Sequence, residues 1–139
     1  PQHDLQAKWA DEIVLRGYDL PSPAVAPGEQ LQLSLYWSPQ REIDTRYTAF
    51  VHLLGAQNPA TGNPLWGQKD SEPCTGFYPT AVWREGEIIR DDINLDIAAD
   101  VPPGTYDLAV GFYTWPDFQR LPVGDSDSLL LQQVTIGNP

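Results

Sequence analysis

The stretch "QLQLSLYW", Gln30 to Trp37, alternates polar and apolar residues without a break. Leu31, Leu33, Leu35 and Trp37 fall on one side of an extended backbone, with Gln30, Gln32, Ser34 and Tyr36 on the other. A period of two marks a strand with one face buried; a helix would scatter the same residues around its circumference. The rhythm returns in "TYDLAVGFYT", Thr105 to Thr114, where Tyr106, Leu108, Val110 and Phe112 oppose Asp107, Ala109, Gly111 and Tyr113. "EIVLRGYDL", "RYTAFVHLL", "EIIRDDINLDI" and "SLLLQQVTI" read as further strands, and "LWGQKD" as a shorter one. Fourteen prolines and 11 glycines punctuate the chain and leave little room for helices. "SPAVAPGEQ" and "DVPPGTY" set Pro and Gly just ahead of a strand, as β-turns require. The pattern predicts an all-β fold, an antiparallel β-sandwich of immunoglobulin-like or jelly-roll-like type with seven to nine strands. Pro1 to Asp11 reads as either a single helical turn or an extended arm.

The 139 residues suit one domain, residues 1–139, with a single core. Eight basic residues against 19 acidic ones give a net charge of −11. Such a field repels phosphate backbones and anionic lipid, so neither nucleic acid nor direct lipid contact is expected. Cys74 is the single cysteine and forms no internal disulfide, so it receives no role. No methionine occurs, even at position 1, which suggests a piece excised from a longer protein.

Catalytic constellations are missing. His3 and His52 are the only histidines, and no GxSxG, HExxH, phosphate-binding glycine loop or CxxC occurs. No enzymatic activity, cofactor or metal site is expected. "GDSDS", Gly124 to Ser128, carries oxygens but lacks the length and spacing of an EF-hand loop.

Aromatics are the stronger signal: five Trp and six Tyr crowd a small domain. Trp37 ends an apolar alternation and belongs to the core. Trp66 and Trp115 lie in turn-rich surroundings, and Tyr78 lies in the irregular stretch Ser71 to Glu87. Flat rings beside carboxylates suit sugars, the ring covering C–H groups while the acid accepts hydroxyls. Trp66, Tyr78 and Trp115 are therefore candidate stacking residues, with Asp70 as hydroxyl acceptor. The alternative is that these rings cap the open ends of the sandwich.

The stretch "SEPCTGFYPTAVWREGE" is read as a packed lid. Its prolines restrict the backbone, its glycines permit turns, and Trp83 can plug the end of the sandwich. Asp91 breaks its strand's rule by joining the side of Ile89, Ile93, Leu95 and Ile97, so it needs partners. It is expected to clasp backbone N–H groups of the Tyr78 to Trp83 turn, with Thr80 adding a local hydroxyl bond.

The order "IVLRGYDL", "PGEQLQLSLYW", "YTAFVHLL", "GQKDSEP", "GFYPTAVWREGEIIRD", "PPGTYDLAVGFY", "RLPV" resembles an extracytoplasmic β-sandwich module. That module belongs to bacterial multi-spanning proteins of the dolichyl-phosphate-mannose glycosyltransferase type. The likeness runs from about Ile13 to Ile136 and implies a structural or pattern role for Gln68, Asp70, Pro73, Gly76, Pro79, Thr80, Trp83, Gly86, Glu87, Asp91 and Arg120. It implies a non-catalytic accessory module outside the membrane, in cis with a host membrane protein. The glycan ligand is expected from the aromatic rings, together with a fold-level likeness to sugar-recognising sandwiches. A structural or protein-contact domain without a ligand is the alternative.

Overall fold

The computed structural model describes residues 1–137 as two packed β-sheets without an α-helix. The first sheet has the order β1-β2-β4-β7, formed by His3–Trp9, Ile13–Asp19, Gln30–Pro39 and Ile89–Asp96. The second has the order β3-β10-β8-β5-β6, from Ala24–Val25, Leu129–Ile136, Gly104–Thr114, Tyr47–Asn58 and Asn63–Ser71. β9 (Gln119–Arg120) pairs with β8 alongside this path. The β-sandwich expected from the alternation is the observed fold. Two of the ten strands are two-residue pieces that periodicity has no power to detect. Pro1 to Asp11 contains no helical turn: His3–Trp9 pairs with β2. One pairing departs from the antiparallel rule, since β3 runs parallel to β10.

The alternation in β4 becomes the core. Leu31, Leu33, Leu35 and Trp37 are buried, while Gln30 and Gln32 face solvent. Trp9, Trp37 and Phe112 meet between the sheets, with ring centroids 5.4, 5.9 and 4.6 Å apart. Edge-on and tilted rings at such spacings bury large apolar areas and add a favourable quadrupole term.

The stretch Ser71 to Glu87 is a packed lid between β6 of one sheet and β7 of the other. It holds two short 3-10 turns, Pro73–Gly76 and Thr80–Val82. Trp83 is buried, and its indole N–H donates to the Tyr78 carbonyl at 2.8 Å. Asp91 lies opposite Leu35 in the β4–β7 register, on the inner face, and is 4% exposed. Its carboxylate accepts the Cys74 backbone N–H at 2.9 Å. The expected clasp on the Tyr78 to Trp83 turn is corrected on this point. Left-handed backbone at Cys74 and Thr75 (φ 57° and 52°) bends the chain here, so the amide offered to the carboxylate comes earlier in the lid. The Trp37 indole N–H lies close to the same carboxylate without reaching hydrogen-bonding geometry. Burial pushes the Asp91 pKa up to about 6, against the opposing pull of the Cys74 amide.

Thr80 also differs from expectation, because its bonds are long-range. Its hydroxyl donates to the Thr45 carbonyl and accepts the Tyr47 backbone N–H at 2.9 Å. The lid is thus tied to the crossover from β4 to β5. Arg46, in that crossover, holds Glu72 with two bonds of 2.8 and 3.0 Å.

Candidate functional site

The outer face of the larger sheet carries a continuous row of aromatic side chains edged by polar ones. It is built on β5 and β8, whose register sets Phe50 opposite Gly111 and His52 opposite Ala109. The small residues on β8 leave room for the large ones on β5. A Cβ at Gly111 would lie 2.4 Å from the Phe50 ring, so that ring rests directly on the glycine.

From Phe50 the rings continue outward in a row. Phe50 and Tyr113 have centroids 6.3 Å apart, Tyr113 and Phe118 5.4 Å, and Phe118 and Trp115 5.1 Å. The inner two rings are buried; Trp115 and Phe118 are 67% and 59% exposed. The Trp115–Asp117 turn and Phe118 project from between β8 and β9. The Phe118 N–H donates to the Thr114 carbonyl, and the Thr114 hydroxyl bonds the Asp117 carboxylate.

Polar groups edge this row. The Tyr113 hydroxyl donates to Asp70 Oδ2 at 2.9 Å, and Gln68 Nε2 donates to Asp70 Oδ1 at 3.2 Å. Burial, with the Asp70 carboxylate beside it, pushes the Tyr113 pKa up to about 12, so the phenol keeps its proton. His52 is 9% exposed, and its Nε2 has no hydrogen-bond partner while lying 3.7 Å from Asp70 Oδ1. Burial lowers the His52 pKa against the pull of Asp70, which keeps the imidazole neutral near pH 7. The Arg120 guanidinium lies over Phe50, 4.4 Å from the ring centroid, and 3.4 Å from the Asp127 carboxylate. A depression of about 260 Å³ opens beside it, floored by Phe50, Leu54, Leu65 and Ala109 and edged by His52 and Ser128.

Of the four residues expected to bind ligand, this surface brings together Asp70 and Trp115. Trp66 is a correction: it is 7% exposed, its indole N–H donates to the Ala56 carbonyl, and its edge meets Tyr106. It is a core residue of β6 and not an exposed stacking ring. Tyr78 is half-buried in the lid, with its hydroxyl shared between the two Glu87 oxygens at 2.6 and 2.8 Å. Neither ring stacks on Trp115 among the described residues. Thr80, Trp83 and Asp91 serve the lid, while Arg120 covers Phe50 at the surface described here.

Phe118, Tyr113 and His52 were not singled out as ligand residues by sequence. The usable signal was strand alternation: Phe50 and His52 share one face of β5, as Gly111 and Tyr113 do on β8. Phe118 had no such signal, being presented by a turn. "GDSDS" forms a turn in which Val123 and Ser126 exchange backbone bonds and Asp127 reaches Arg120. Among the described residues no group of three or more His, Cys, Asp or Glu side chains is arranged to hold a metal ion.

No family model matches the chain, and no characterised protein matches it by sequence. Among solved structures the chain is similar to a Niemann-Pick type C2 protein from the Japanese carpenter ant. The TM-score is 0.44 at 10% identity, over 98% of this chain and 95% of that one. The expected partner set is corrected here. The expectation of no direct lipid contact is withdrawn. Net negative charge opposes docking on an anionic bilayer, but it exerts no such repulsion on a neutral lipid molecule. The likeness itself assigns no ligand to this chain.

Proposed function

We propose that this chain is a non-catalytic accessory module that binds glycan on the extracytoplasmic side, beside a membrane-bound glycosyltransferase. The observation that carries this reading is the exposed Trp115–Phe118 pair, continuous through Tyr113 with the Asp70 carboxylate. An exposed indole is costly to leave in water, and a sugar's C–H face covers it while a neighbouring acid accepts hydroxyl donors. The host and compartment rest on the resemblance of the strand order and of Gln68, Asp70 and Arg120, all three found at this surface.

The test is a glycan array with wild-type protein, Trp115→Ala and Asp70→Asn, together with phosphatidylcholine vesicles. The reading expects selective glycan binding that weakens at least tenfold in both variants, while the melting temperature stays within about 2 °C. Vesicle binding without glycan binding would overturn it. A second reading, a protein-contact domain that braces its host, draws on Phe77, Val82 and Ile88, which are 90%, 53% and 60% exposed in or beside the lid. An array silent across neutral, amino and acidic sugars favours that reading.

A further inference from the structure

We propose that the Asp70–Trp115 surface selects sugars that carry a free amine over neutral and acidic ones; this inference rests on the glycan reading above. The first ground is charge. Across Tyr47–Asn58 and Gly104–Ser128, the segments that build the face, Arg120 is the only Lys or Arg. The same segments carry Asp107, Asp117, Asp125 and Asp127, and Asp70 joins them from β6. Arg120 is already committed to Asp127 and to the Phe50 ring. Lys69, the neighbour of Asp70, lines a crevice beside Asp91 and does not reach this face.

The second ground is independent of that count. Asp70 has neutral partners only: the Tyr113 phenol, the Gln68 amide and the buried face of His52. An ionised carboxylate offers about four acceptor positions, and two are filled, so two remain. His52 Nε2 faces the same oxygen across 3.7 Å without a partner. The protein thus supplies this carboxylate with hydrogen bonds but with no counter-cation in contact. An ammonium group supplies both the donors and the missing charge; a hydroxyl supplies donors alone, and a uronate is repelled. The exposed Trp115 ring adds a second attraction for a cation over its face.

The experiment is isothermal titration calorimetry with three oligosaccharides of equal length, at mildly acidic pH and at two salt concentrations. The probes are glucosamine, N-acetylglucosamine and galacturonic acid oligomers. Glucosamine oligomers should bind about tenfold or more tighter than the N-acetylated ones, the ordinary gain from a charge-assisted bond. That advantage should shrink with added salt. Asp70→Asn should remove it, and Trp115→Ala should weaken binding of the amine series, with both variants melting as the parent does. Asp127→Asn, whose side chain is exposed at this rim, should reduce the advantage only partially. Equal or tighter binding of the N-acetylated or uronate series overturns the amine preference and leaves the glycan reading standing. Glucosamine binding indifferent to Asp70→Asn and Trp115→Ala also overturns it, because the general field of an acidic protein then suffices. If no oligosaccharide binds, the glycan reading fails and the preference fails with it.

Discussion

Asp91 occupies the apolar side of β7 with one backbone amide in hydrogen-bonding contact, so its negative charge is a liability. Its pKa stands near 6 in the folded protein against an ordinary 3.8, so between those values the native state holds the extra proton. The stabilisation associated with that proton is complete below pH 4 and is lost as pH rises through about 6, a span of roughly 3 kcal/mol. Asp91→Asn should therefore be more stable than the parent above pH 6, with the gap closing toward pH 4. Paired urea denaturation across that range checks it, and a gap that widens on acidification would contradict it. Taking the difference between the two proteins removes the opposing titration of Asp19, Asp92 and Glu87, whose pKa values are lowered by their hydrogen bonds. Trp83→Ala should cost about 3–5 kcal/mol, as loss of a buried aromatic does, measured by the same denaturation. The inward position of Asp91 was legible in the alternation, because a period of two assigns a face to every residue. Its partner was not, because nothing in "PCTG" announces left-handed backbone at Cys74 and Thr75, residues that ordinarily avoid it. Trp66 was misread for a related reason. "LWGQKD" reads as a strand, but the turn-rich residues beside it made Trp66 a candidate exposed ring, whereas the nine-residue β6 turns it inward.

At the level of elements, the candidate site depends on a fit between β5 and β8. The Phe50 ring sits over Gly111, and Arg120 lies on Phe50, so one missing side chain makes room for two layers above it. Gly111→Ala should cost about 1–3 kcal/mol through overpacking and displace the Arg120 guanidinium. Thermal melting reads the first effect, and a changed Arg120 Nε signal in NMR reads the second; an unshifted signal would deny the stacked arrangement. The two faces of β5 and β8 were readable from sequence, but their mutual register was not. Register is set by bulges and loop lengths that periodicity does not contain. For that reason Asp70 and Tyr113, 43 residues apart, were never linked.

For the molecule as a whole, a charge of −11 on 139 residues means the folded state works against its own field. Raising sodium chloride from about 10 to about 150 mM should increase the melting temperature, since the Debye length falls well below molecular dimensions. A melting temperature that falls over this range would show that ion pairs outweigh the repulsion. The sandwich was legible at this scale because Pro/Gly punctuation and alternation agree along nearly the whole chain. The parallel β3–β10 pair was not, because two residues carry no period.

The ties between the lid and the β4–β5 crossover have a consequence for local opening. Loops commonly exchange their amide protons first, since few buried contacts hold them. Here Tyr47 N–H is held by the fully buried Thr80 hydroxyl, and Cys74 N–H by buried Asp91. Those two amides should exchange with deuterium as slowly as the middle of β8, and far more slowly than Gly86 or Gly124. Those two ties then act as a latch at the Cys74 and Tyr47 amides, while the exposed outer turns of the lid, such as that at Gly86, open locally.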